Sequence, residues 1–126
     1  MKIEWLKNEK IESSITVYEN NITFRKNISN LFEEGLGIVI GIDKVEKMLV
    51  FKKITEKNKD SFEQSHLYKL DFKPSYARLN NKKIVELINS MIPQKDEKHN
   101  SCKLKASWDE QEEMLLVNVK ERCEDE

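Results

Sequence analysis

From Ile38 to Lys53 the chain reads Ile-Val-Ile-Gly-Ile-Asp-Lys-Val-Glu-Lys-Met-Leu-Val-Phe-Lys-Lys, two β-branched and apolar runs around the polar centre Asp43 to Lys47. That composition predicts a β-hairpin closed by a short polar turn. The pattern returns late in the chain, where Trp108 to Val117 aligns with Ile42 to Phe51 and Asp109 stands where the first copy has Asp43. A chain that repeats its hairpin is expected to fold as two similar units, and the segments around each copy are readable as the rest of a unit.

In the first half, Ile15 to Tyr18 is a predicted strand, Glu19 to Asn21 a turn and Ile22 to Phe24 the returning arm. At Asn27 the period changes. Ile28, Leu31 and Phe32 fall at i, i+3 and i+4, which predicts a short helix with Asn27 as N-cap and Gly35 as its stop. In the second half, His66 to Phe72 and Tyr76 to Leu79 are predicted strands around the turn Pro74-Ser75. A helix is expected over Asn81 to Met91, with Ile84, Leu87, Ile88 and Met91 on one face and Pro93 ending it. After a loop over Gln94 to Ser101, Lys103 to Trp108 and Met114 to Val119 form the second hairpin.

These segments divide a single domain, 1–126, into a first repeat 13–53, a linker 54–65 that overlaps the polar stretch Lys52 to Gln64, a second repeat 66–119 and a charged tail 120–126. Units this small bury too little surface to fold alone, so the halves are expected to share one core. The expected fold class is α+β: two pseudo-symmetric β-rich repeats, each with one short helix and a C-terminal β-hairpin, joined as a barrel or as helices on a sheet. The core is expected to take Val17, Ile28, Leu31, Phe32, Val39, Leu49, Phe51 and Leu70, and then Ile84, Leu87, Ile88, Leu104, Trp108, Leu115 and Val117.

The N-terminal residues are charged from Lys2 onward, without the apolar run of a secretory signal, and the longest apolar run, Gly35 to Ile42, is far short of a membrane-crossing helix. A cytoplasmic protein with no membrane partner is the expectation. Cys102 and Cys123 have no cysteine or histidine nearby at metal-ligand spacing and are expected to be thiols of a reducing compartment.

The glycines of Gly35 to Gly41 follow a predicted helix and enter a strand, the reverse of the order a phosphate loop needs, so they read as a helix stop and close backbone packing. His66 and His99 lack patterned partners, and Asp43 and Asp109 read as turn residues. With no nucleophile and base in an interpretable arrangement, the chain is expected to be non-enzymatic and to use no cofactor or metal.

Charge points elsewhere. The net charge is −1, which argues against a protein that coats nucleic acid, but residues 52–83 hold nine Lys/Arg against four Asp/Glu, and residues 93–126 hold six against ten. Aromatic and basic residues alternate at Phe24-Arg25, Phe51-Lys52, Tyr68-Lys69 and Phe72-Lys73. Neighbouring side chains on a strand point to opposite faces, so burying the aromatics turns the bases outward together. With Arg25, Lys26, Arg78, Lys82 and Lys83 near the strand-to-helix junctions, a phosphate-contacting face is expected.

A strand pair running into a short helix and a β-hairpin, present twice over Ile15 to Phe51 and Leu67 to Val119, resembles the swapped-hairpin barrels of AbrB-like transition-state regulators, and still more the two-copy MraZ-type arrangement. The family has a Gly-Arg pair and a proline around this strand; here the stretches are Asn20-Asn21-Ile22-Thr23-Phe24-Arg25-Lys26-Asn27-Ile28 and Ala77-Arg78-Leu79-Asn80-Asn81-Lys82-Lys83-Ile84. The resemblance implies two interleaved units in one barrel and a basic strand-to-helix region presented to DNA. The expected function is thus a binding module, a DNA-binding regulator. The alternative is a protein-interaction or assembly module, its partner another protein or a second copy joined through an exposed strand edge.

Overall fold

A computed structural model describes residues 1–4, 11–92 and 101–122. These residues form eight strands and two helices: β1 (Ile11–Tyr18), β2 (Ile22–Arg25), α1 (Lys26–Phe32), β3 (Gly37–Asp43), β4 (Met48–Ile54), β5 (Asp71–Phe72), β6 (Tyr76–Leu79), α2 (Lys82–Met91), β7 (Ser101–Asp109) and β8 (Met114–Arg122). Two 3₁₀ turns, Lys59–Ser61 and Gln64–His66, lie between β4 and β5. The strands form one antiparallel sheet in the order β3-β4-β8-β7-β1-β2-β6-β5, curled into a half-barrel. Its ends approach each other where Ile38 N donates to Tyr68 O and Tyr68 N to Ile38 O, both at 2.8 Å. The fold is α+β, and no helix among the described residues is long and apolar enough to cross a membrane.

The two long hairpins turn in the same way. Asp43 Oδ1 accepts from the N–H groups of Val45 and Glu46, and Asp109 Oδ1 accepts from those of Gln111 and Glu112, at 3.0 to 3.2 Å. A carboxylate that caps its own turn reproduces a backbone turn with a side chain. Each turn leaves through a non-glycine residue at positive φ, Lys47 at 57° and Glu113 at 51°. An L-residue there is strained, so Lys47→Gly is expected to stabilise the protein by about 1 kcal/mol in urea denaturation.

The inward face of the sheet is filled by alternating residues. Ile15 and Val17 of β1, Ile22 and Phe24 of β2, Leu49 and Phe51 of β4, and Leu115 and Val117 of β8 are fully buried. Helix α1 is only seven residues long and is held by packing rather than propensity. Its Phe32 meets Trp108 edge-on at 5.2 Å and Phe24 at 6.0 Å, while Phe24 meets Phe51 at 5.1 Å. Helix α2 is capped by Asn81, whose Oδ1 accepts from Ile84 N, and is tied to β1 through Asn89 Nδ2, which donates to Tyr18 O.

Several expectations are corrected. Asn27 is not the cap of α1: the helix starts at Lys26, the N-cap position is Arg25 without a side-chain bond, and the side-chain Oδ1 of Asn27 accepts from Ser13 Oγ. In α2, Leu87 is 48% exposed while Val85 and Ile88 are buried, with Ile84 and Met91 partly so. The apolar arc of this helix is wide, and the sheet's position selects its Val85 side. The strand expected over His66 to Phe72 shrinks to the Tyr68 bridge and the two residues of β5, because the segment crosses from the β3 edge to the β6 edge; His66 lies in a 3₁₀ turn. Lys52 to Ile54 belong to β4 rather than to the polar stretch after it. Cys102 is buried on β7, whereas Pro93, His99 and Cys123 lie outside the described residues.

Candidate nucleic-acid interface

The outward face is set by alternation on β2 and β6. Ile22, Phe24, Ala77 and Leu79 are buried inward, which turns Thr23, Arg25, Tyr76 and Arg78 outward. Pairing then lines these residues up across strands. Arg78 pairs with Thr23, Thr23 with Thr16 of β1, and Thr16 with Lys103 of β7. In the parallel row, Tyr76 pairs with Arg25, Ser14 lies one step beyond the Ile15–Phe24 pair, and Ser14 pairs with Lys105. Two rows result, each with cationic and hydroxyl-bearing side chains: Arg78, Thr23, Thr16 and Lys103, and Tyr76, Arg25, Ser14 and Lys105. Neighbouring strands are about 4.8 Å apart, so the cations stand at multiples of that spacing.

Of the five residues expected to contact phosphate, Arg25 and Arg78 share this face. Lys26 follows Arg25 at the start of α1; Lys82 and Lys83 open α2. Because β2 and β6 run antiparallel, the two helix starts lie beyond opposite ends of their four-pair ladder, which is about 10 Å long. Lys26, Lys82 and Lys83 are exposed. Arg78 is half-buried, with its guanidinium carbon 5.3 Å from the Tyr76 ring centroid and its Nη2 donating to the Tyr76 hydroxyl at 3.2 Å. That contact orders the guanidinium across the strand.

Not every aromatic–basic pair contributes. Lys52 donates to Glu112 O at 2.7 Å and pairs with the same residue's carboxylate, so it is engaged by the second hairpin turn. Phe72 is exposed rather than inward, and Lys73 pairs with Asp71 at 3.2 Å. The four ion pairs among the described residues are Lys52–Glu112, Lys53–Glu113, Lys59–Glu56 and Lys73–Asp71; none uses Arg25, Lys26, Arg78, Lys82 or Lys83. Lys103 and Lys105 were not picked out by the sequence pattern. Their signal is the alternation Cys102-Lys103-Leu104-Lys105-Ala106, which turns both lysines outward, but their place beside β1 comes only from strand pairing.

Beside Arg25 the face hollows into a groove of about 580 Å³ lined by Ser14, Arg25, Lys103, Lys105, Met48 and Asn118 among others. It opens where β8 leaves β7. Leu104 pairs with Arg122 and Ala106 with Val117, so Lys105 alone faces the stretch between them, while Val119 N turns to Lys47 O. No carboxylate lines the groove among the described residues. No protein-family model, curated protein or solved structure matches the chain.

Proposed function

We propose that this protein is a non-enzymatic nucleic-acid-binding module, a DNA-binding regulator that contacts backbone phosphates through the outward face of β7, β1, β2 and β6 and the starts of α1 and α2. The observation that carries this reading is the two-row array of cationic and hydroxyl-bearing side chains, whose cations form no ion pair with any described residue. Unpaired cations at strand spacing beside hydroxyl donors suit a polyanion whose charges recur along a line. An overall charge of −1 is compatible with this, because many of the acids lie elsewhere, as in the turn from Asp109 to Glu113.

We also read the fold as two pseudo-symmetric units of the AbrB-like and MraZ-like kind. The order strand, strand, helix, strand, strand occurs twice. Exchanging β1 with β5, β2 with β6, β3 with β7 and β4 with β8 returns the same strand neighbours, once the Ile38–Tyr68 pair is counted as β3 beside the lead into β5. In the β4–β8 ladder Met48 pairs with Asn118 and Lys52 with Met114 about a central Val50–Leu116 pair, a register consistent with aligning Met48 on Met114.

The test is fluorescence anisotropy of a labelled DNA duplex at low and physiological salt, with a Lys26→Glu, Lys82→Glu, Lys83→Glu variant whose fold is checked by circular dichroism. The wild type is expected to bind with affinity falling steeply with salt, and the variant's log–log salt slope to be shallower by about 2 to 3. Absence of binding by the wild type at low salt would overturn the reading, and concentration-dependent self-association without DNA binding would favour an assembly module.

A further inference from the structure

We propose that the groove beside Ser14 is a phosphate-binding site in which Ser14 Oγ, Arg25, Lys103 and Lys105 hold a single phosphate group. Four observations meet there. Ser14 is 2% exposed and its hydroxyl has no hydrogen-bond partner among the described residues. A buried hydroxyl without a partner is costly, and a ligand oxygen is one way to satisfy it. Ser14 is flanked in the same row by Arg25 on β2 and Lys105 on β7, with Lys103 one row away, and none of these three cations has a hydrogen bond or ion pair with a described residue.

Asn118, at the groove wall, accepts from Lys120 N through Oδ1 at 2.9 Å, which leaves its amide nitrogen as a donor. Among the described residues, the lining therefore supplies donors and positive charge without a carboxylate to compete. Cations and a hydroxyl approaching from several strands suit the tetrahedral oxygens of a phosphate group, diester or monoester, better than the planar oxygen pair of a carboxylate. The bulge in β8 makes the room, and the long stems of Arg25 and Lys105 let their heads move aside to admit the anion to the covered hydroxyl.

The same chemistry comes from two sources, the backbone of a polynucleotide or a free phosphorylated small molecule. As a backbone site it rests on the nucleic-acid reading above; as a site for free phosphate it stands without it.

The experiment measures thermal unfolding with added inorganic phosphate and pyrophosphate, and anisotropy of a labelled oligonucleotide, for the wild type, Ser14→Ala and Lys103→Gln, Lys105→Gln. Ser14→Ala removes an unsatisfied hydroxyl, so its melting temperature without ligand is expected to equal or exceed the wild type's. Phosphate or pyrophosphate is expected to raise the wild-type melting temperature, with affinity about tenfold weaker in Ser14→Ala and lost in the double variant. A parallel loss of oligonucleotide affinity in Ser14→Ala assigns the site to the backbone; a loss confined to the inorganic ions assigns it to a free phosphate. If neither ion shifts the wild type and Ser14→Ala binds oligonucleotide like the wild type, the site does not exist, and duplex binding with a shallower salt slope in the Lys26, Lys82 and Lys83 variant would still stand.

Discussion

Phe24→Ala is expected to destabilise the protein by about 3–5 kcal/mol, read as a lower midpoint in urea denaturation followed by circular dichroism. Phe24 is fully buried on β2 and touches two other rings edge-on, Phe32 of α1 at 6.0 Å and Phe51 of β4 at 5.1 Å. These rings join pieces of the fold that no backbone ladder connects directly: β2 and β4 are four places apart in the sheet. Truncation removes the transfer free energy of the ring and leaves a cavity between β2, β4 and α1 that they cannot all close upon. Domains of this size have about 5–15 kcal/mol in total, so the variant is expected to lie close to the edge of folding. Phe24→Leu, which keeps most of the volume, is expected to lose less than half as much. Equal stability for wild type and Phe24→Ala would mean that α1 is not seated on the sheet by this cluster.

Gly37→Ala is the second large effect, at about 2–4 kcal/mol. Gly37 has φ of +154°, and a methyl group there would stand 2.6 Å from Tyr68 O and 2.8 Å from Leu67 Cδ1. The first of these is backbone, and it is the same carbonyl that accepts from Ile38 N. Relief of the clash must push Tyr68 away, which breaks the reciprocal bonds at which the sheet's two ends meet. Amide exchange at Ile38 and Tyr68 is therefore expected to accelerate together. Gly41→Ala is the control, since its new methyl would meet nothing closer than Val50 Cβ at 3.9 Å and strand glycine is less favourable than alanine. If both variants were as stable as the wild type, the contact between the sheet ends would carry no stability.

The parts of this protein legible from its amino acids are those whose interacting groups lie within a few residues of each other. Asp43 and Asp109 could be read as turn residues because the N–H groups they cap are two and three positions on. The helix expected from Asn81 starts one residue later, at Lys82, with Asn81 as its cap, and the capping bond, from Ile84 N, is also local. Alternation likewise put Phe24 in and Arg25 out. Where a local pattern admitted more than one solution it misled: the helix period allowed a face through Leu87, and the sheet took the one through Val85.

The candidate site was legible only in pieces for the same reason. Arg25 and Arg78 carried a signal in sequence, but their common face depends on β2 pairing with β6, more than fifty residues later in the chain. Lys103 and Lys105 join Arg25 only because β7 lies along β1, and the groove exists only because β8 bulges away from β7. Side-chain period states which way a residue points from its own strand and says nothing of which strand lies next to it. Neighbours are chosen by burial summed over the whole sheet, a quantity spread over all eight strands, so the shared core and the row through Ser14 come into being only on folding.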